Sequence, residues 1–184
     1  MKAHSSTQTT CTEWQPENPE NTRRTYNLLV IALICTFFII LIRRAWLCDD
    51  AFITFRTVDN FINGYRLTWN ITERVQAYTH PLWMLLLSLF YFFTRDIYYT
   101  SLALSIGLSL ITLVLLVRFY SLPSAAPLVI FALLLSKAFV DFSTSGLENP
   151  LSHLLILIFF ILFFKMPKES NQHLFWLSFV ASLG

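Results

Sequence analysis

Charge is what this 184-residue sequence has least of. Only 13% of its residues are Asp, Glu, Lys or Arg, where a soluble domain carries roughly a quarter, and that shortage excludes an ordinary solvated surface. Glycine is equally scarce, at four residues against 18 phenylalanines, which excludes collagen-like and low-complexity chains. The three cysteines, Cys11, Cys35 and Cys48, are odd in number and scattered. No disulfide framework and no metal-ligand spacing can be built from them. The net charge is +2, with no basic stripe interleaved with aromatics, so nothing supports nucleic acid as a partner. No small-x-small cleavage site follows the first apolar run, which therefore reads as a retained anchor rather than a signal peptide.

What is abundant is apolar: 55% of the chain is hydrophobic and the mean hydropathy is +0.58. These residues come in long blocks, the pattern of several membrane helices in contact with lipid. The expected fold class is an all-α, multi-pass integral membrane bundle. Residues 1–26 are polar and read as a disordered tail. Residues 27–184 form the membrane domain, with spans expected at about 27–47, 81–93, 97–117, 127–142, 150–164 and 173–184. The last is too short to cross, so the chain reads as the N-terminal part of a longer one. Run 81–93 is also short, since thirteen residues cover only ~20 Å as a helix. Lys165 and Lys168 suggest a cytoplasmic end for the fifth run. Full crossings throughout would then put Asp50 and Glu148 on opposite sides, whereas a run 81–93 that dips in and returns puts them on the same side.

The adjacent carboxylates of Asp49 and Asp50, just past the first span, are the strongest chemical signal. Paired acids at a bilayer edge repel each other and are costly to desolvate. They open a stretch in which Phe52, Phe55, Val58, Phe61 and Ile62 recur at helical spacing opposite a polar stripe of Arg56, Asn60 and Asn63. This predicts an amphipathic helix lying at the interface and ending at Gly64. The plain alternative is that Asp49 caps this helix and Asp50 favours its positive N-terminus. An extended loop follows, carrying Glu73, Arg74, Tyr78, His80 and Trp83, for which a solvated turn and an interfacial aromatic belt are the bland readings. Between two later runs, Glu148 sits in the Ser/Thr/Gly-rich turn FSTSGLENP, where a place near the start of a helix would also explain it. Lys137 and Asp141 are one turn apart and suited to pair.

Taken as an ordered set, these segments resemble the GT-C superfamily of membrane glycosyltransferases. The nearer likeness is to the branch with polyprenyl-phosphate-dependent cell-wall arabinofuranosyltransferases and related bacterial envelope enzymes. The resemblance rests on Asp49-Asp50-Ala51-Phe52-Ile53 with Arg56, Asn63-Gly64, Trp69-Asn70, Glu73-Arg74-Val75, Tyr78-Thr79-His80-Pro81-Leu82-Trp83 and Ser145-Gly146-Leu147-Glu148-Asn149-Pro150-Leu151. It covers most of residues 43–155. It implies an inverting glycosyltransferase in the bacterial inner membrane, with its active site facing the periplasm or cell exterior. A polyprenyl-phosphate-linked sugar would be the donor and a hydroxyl of a glycan, lipid or protein the acceptor. Asp49 or Asp50 would be the general base. Glu148 would orient the acceptor or hold a divalent cation, while Arg56, His80 and Arg44 would meet the leaving phosphate. Glu73 and Tyr78 belong to the same loop. Metal use varies across the superfamily, so no metal is assigned. A transporter or flippase would instead set its charges near the bilayer midplane in repeated halves, and no internal repeat is visible. A non-catalytic envelope scaffold is the third alternative.

Overall fold

The computed structural model describes residues 19–73, 75–120, 125–165 and 171–184. Cys11, Arg74, Lys168 and most of the tail expected over 1–26 lie outside the described residues. The described residues are all helical or loop, with no strand: α1 (Pro19–Arg43), α2 (Ala51–Ile62), α3 (Pro81–Thr94), α4 (Ile97–Tyr120), α5 (Ala126–Leu135), α6 (Lys137–Phe142), α7 (Asn149–Lys165) and α8 (Asn171–Leu183). Two stretches, Glu20–Arg43 and Ile97–Phe119, are long and apolar enough to cross a membrane.

Two runs differ from the hydropathy reading. First, α1 begins at Pro19, ahead of the expected start at Asn27, with the residues from Glu20 to Thr25 exposed, and it ends at Arg43, short of the expected end at Leu47. A proline fits the first helical position because its φ is already helical and its missing N–H costs nothing there. Second, the run 127–142 is two helices, broken at Ser136 (φ −75°, ψ 96°), whose hydroxyl accepts the amide of Phe139 at 3.4 Å. Hydropathy cannot register a single ψ switch made by a residue whose side chain caps the next helix.

Helix α2 ends in a Schellman turn. The Tyr65 amide reaches the Asn60 carbonyl at 2.8 Å and the Gly64 amide reaches that of Phe61 at 3.2 Å, with Gly64 at φ +84°. Between α3 and α4 the chain turns at Arg95 (φ +55°), and the Asp96 carboxylate caps α4 by accepting the Tyr99 amide at 3.1 Å.

The helices form two apolar clusters. One joins α2, α3, α7 and α8 through Phe55, Val58, Trp83, Leu87, Leu151 and Val180. The other joins α1, α4, α5 and α6 through Phe37, Leu41, Leu113, Ile130 and Val140.

The direction of α3 decides where the polar residues gather. Lys165 Nζ lies 5.0 Å from the centre of the Phe119 ring, so α4 and α7 end together. Leu104 and Leu108 of α4 share a core with Leu151 and Leu155 of α7, so the two helices run parallel. With 24 residues against 17, α4 is longer by ~10 Å and extends past the start of α7. The start of α3 touches the loop before α7, where the Trp83 indole donates to the Gly146 carbonyl at 3.1 Å. Its end feeds straight into α4. Helix α3 therefore begins and ends in the half of the molecule away from Phe119 and Lys165. The end of α1 arrives in that half too, because the Trp46 indole donates to the Asp141 carbonyl at 2.9 Å.

Candidate functional site

The site is organised by the loop from Ser143 to Glu148, between α6 and α7. Ser143, Thr144 and Ser145 are fully buried, and two separate stretches of chain are tied to the loop by three hydrogen bonds. The Cys48 amide donates to the Ser145 carbonyl at 2.8 Å, immediately before the acidic pair. Trp83, 1% exposed, donates to Gly146 as described. The Thr79 hydroxyl donates to Glu148 Oε1 at 3.3 Å. Gly146 is required at the centre for two reasons. Its φ is +79°, and a Cβ there would meet Leu47 Cδ2 at 2.7 Å, Ala51 Cβ at 2.9 Å and Phe55 Cζ at 3.3 Å. Only a residue without a Cβ lets the start of α2 sit so close.

Asp49 and Asp50 emerge from this anchored turn with both side chains exposed. The capping alternative can be followed bond by bond. Asp50 occupies the N-cap position but makes no side-chain cap hydrogen bond. The first amides of α2, those of Ala51, Phe52 and Ile53, are taken at 3.1 Å by the carbonyls of Cys48, Asp49 and Asp50. Main-chain oxygens do the work that a capping carboxylate would do, leaving both carboxylates to other partners.

His80 is buried and caps α3. Its Nδ1 accepts the Trp83 amide at 3.2 Å, which assigns the proton of the neutral ring to Nε2. That Nε2 is buried and has no hydrogen-bond partner among the described residues. Tyr78 is half-buried against the α2–α3 cluster, and its carbonyl accepts from the Gln76 amide group at 3.3 Å.

The structure thus gathers the acidic turn, Thr79-His80 and Glu148 around one loop. The other sequence candidates stand apart from it. The Arg56 guanidinium lies 4.8 Å from the centre of the Trp69 ring. Glu73 accepts from Asn70 at 3.2 Å within an exposed turn. Arg44 lines a cleft with Lys137 and Asp141. Among the described residues no three His, Cys, Asp or Glu side chains converge as a metal-ligand set.

Sequence reasoning missed several residues that hold the site. Asn60, read as part of a polar stripe, donates to the Thr68 and Trp69 carbonyls at 2.8 and 3.0 Å and pins the returning loop onto α2. Asp59 accepts from the Tyr91 hydroxyl at 2.7 Å and from Asn63 at 3.0 Å, which locks the end of α2 to the end of α3. Trp46 holds the end of α1 to α6. One signal was available for the first of these, an asparagine inside an apolar-periodic helix. The Asp59–Tyr91 and Trp46–Asp141 pairs carry no local signature.

No family model matches this chain, and no solved structure does. Among curated proteins it is similar to the terminal β-(1→2)-arabinofuranosyltransferase of Mycobacterium tuberculosis, with 34% identity over 161 residues. The match takes in 76% of this chain and 25% of that protein, so the chain spans about a quarter of the length of the curated relative it matches.

Proposed function

We propose that this chain is part of a multi-pass membrane glycosyltransferase of the GT-C type, which moves a sugar from a polyprenyl-phosphate donor to a hydroxyl acceptor. The observation that carries the reading is the exposed Asp49-Asp50 pair, held in place by the Ser145 carbonyl yet free of any capping duty. The similarity to an arabinofuranosyltransferase supports the transferase class. The arrangement of helices supports a bundle in which α1 crosses outward and α4 inward, α5 and α6 return, and α7 descends again. Helices α2 and α3 then stay on the extracytoplasmic side with the acidic turn and Glu148.

In that arrangement the acceptor hydroxyl attacks the anomeric carbon of the donor from the side opposite the leaving group. The bond from that carbon to the phosphate oxygen breaks, and its electron pair leaves with the lipid phosphate. The hydroxyl proton passes to the carboxylate of Asp50 or Asp49. Glu148, oriented by Thr79, positions the acceptor. Of the groups expected at the departing phosphate, His80 belongs to the gathered loop and offers its unpartnered Nε2–H, while Arg56 and Arg44 stand apart from it.

The test uses the full-length gene product in a deletion strain, with envelope glycans read by mass spectrometry. Asp49→Asn/Asp50→Asn should insert at wild-type level and lower transfer by about 100-fold or more. Glycans restored in full by the double variant would remove the carboxylates from the chemistry.

A further inference from the structure

The cleft beside the end of α1 has features that the transfer reaction alone does not explain. It encloses about 390 Å³ and is lined by Ile40, Arg44, Leu134, Leu135, Lys137, Val140 and Asp141. Four of these seven side chains are aliphatic, from α1, the end of α5 and α6. The charged groups are the two cations and one carboxylate. Arg44 follows the last turn of α1, and Lys137 is the first residue of α6, just past the break at Ser136. Both are exposed, and among the described residues neither is held by an ion pair. The apolar surface at the cleft is open: Leu135 of its own lining is 70% exposed, and Phe131, one turn earlier on α5, 51%. An aliphatic groove with a net positive rim, flanked by bare apolar helix faces, is complementary to an amphiphile with an anionic head. It does not suit a free anion, which gains nothing from the groove.

We infer that this cleft binds the phosphate head of a membrane phospholipid, with Arg44 and Lys137 on the phosphate and the first acyl carbons against Ile40, Leu134 and Val140. Asp141 sets a limit on the head. Its carboxylate disfavours a phosphate that approaches α6 one turn past Lys137, so the phosphate sits toward Arg44. The break at Ser136 serves this geometry, since a continuous helix would carry Lys137 on around the axis without the ψ switch that presents it at the groove. The inference needs the chain to lie in a membrane, as in the reading above, but does not need it to transfer sugar. Four residues, Ala45-Trp46-Leu47-Cys48, separate Arg44 from Asp49, so the cleft and the acidic turn are distinct places on one continuous segment.

The experiment is photo-crosslinking of the full-length protein in nanodiscs, with a diazirine on the proximal acyl chain of either phosphatidylglycerol or a matched phosphate-free galactolipid. Labelled peptides are mapped by mass spectrometry. The phosphate lipid should label residues 40 and 134–135 on the order of ten-fold more than the galactolipid does. Arg44→Gln/Lys137→Gln should remove that preference, and Lys137→Arg should keep it. Equal labelling by the two lipids would reduce both cations to ordinary snorkelling side chains and overturn the site. Loss of the preference in millimolar inorganic phosphate would overturn it too, by assigning the rim to a free anion. Should the double variant fail to fold, the wild-type comparison of the two lipids still decides. Because the readout is occupancy and not glycan structure, a transfer-dead protein that keeps the preference separates this inference from the transferase reading.

Discussion

Around Gly146, three hydrogen bonds from two separate stretches of chain converge on one loop, and a single missing Cβ sets how closely α2 approaches it. Around Phe37 and Leu113 the molecule is held differently. There α1, α4, α5 and α6 meet through aliphatic contacts and a Phe37–Phe139 ring pair 5.9 Å apart, with the exposed Trp46–Asp141 bond at its edge. Directional bonds to buried groups fix geometry, because a lost partner leaves an unsatisfied atom. Apolar contacts fix volume and tolerate exchange at similar size, and between lipid-facing helices they gain nothing from water exclusion. The hydrogen-bonded region carries the acidic turn, and the apolar region carries the cleft lined by Arg44 and Lys137.

The sharpest way to break that contrast is Gly146→Ala. The added methyl meets the Cβ of Ala51, which belongs to a helix backbone and cannot swing aside, and the residue must also hold φ +79°. Overpacking costs about 1–3 kcal/mol and the left-handed conformation about 1–2 kcal/mol, so a loss of about 3 kcal/mol is expected by thermal unfolding of the full-length protein in detergent. Gly64→Ala is its control. The φ is +84° but nothing lies within 4 Å of the added Cβ, so only the conformational cost of about 1–2 kcal/mol remains. Equal losses at the two glycines would mean that the close approach at Gly146 has no energetic weight.

A smaller step compares two tryptophans. Trp83→Phe leaves the Gly146 carbonyl without its donor in a fully buried place, for about 1–3 kcal/mol, and should lower transfer as the loop loosens. Trp46→Phe removes a bond of similar length from a residue 41% exposed, where water replaces the indole, for at most about 1 kcal/mol. The ratio of the two losses measures how far burial, rather than hydrogen-bond count, stabilises the site.

These residues also mark how far the sequence could be read. The all-helical class follows from composition, and a helix from Ala51 with a stop at Gly64 follows from spacing and one glycine, because both are local properties of the chain. The doubled acid and the Ser/Thr/Gly turn carrying Glu148 could each be picked out, but not the bonds that join them, since Thr79 and Glu148 are 69 residues apart and Trp83 and Gly146 are 63 apart. A cap is the natural reading of an aspartate before a helix. It is displaced here because three carbonyls of the turn reach the first amides, a backbone outcome that side-chain identity does not encode. The split at Ser136 escaped for the opposite reason, since the run is apolar on both sides of a change made by one ψ angle.

The gentlest variant tests the course of α3, which must begin and end on the side where the Cys48–Ser145 bond already holds Asp50 near Glu148. Arg95 is exposed, makes one cation–π contact with Phe92 at 5.4 Å, and already holds a left-handed φ of +55°. Replacing it with cysteine exchanges one non-glycine side chain for another and should shift stability by no more than about 0.5 kcal/mol. In a background free of the native thiols, an impermeant maleimide added to right-side-out vesicles of the full-length protein should label Arg95→Cys and Asp49→Cys from the same face, and Arg118→Cys only after lysis. A fourteen-residue helix spans ~21 Å, short of the ~30 Å hydrocarbon core, and its two ends are bonded into the same half of the molecule. Labelling of residue 95 from the face of residue 118 would make α3 a true span and part the acidic turn from the end of that helix. The Asp59–Tyr91 bond could not then survive in the membrane, because it requires α2 and the last turns of α3 to be at one depth.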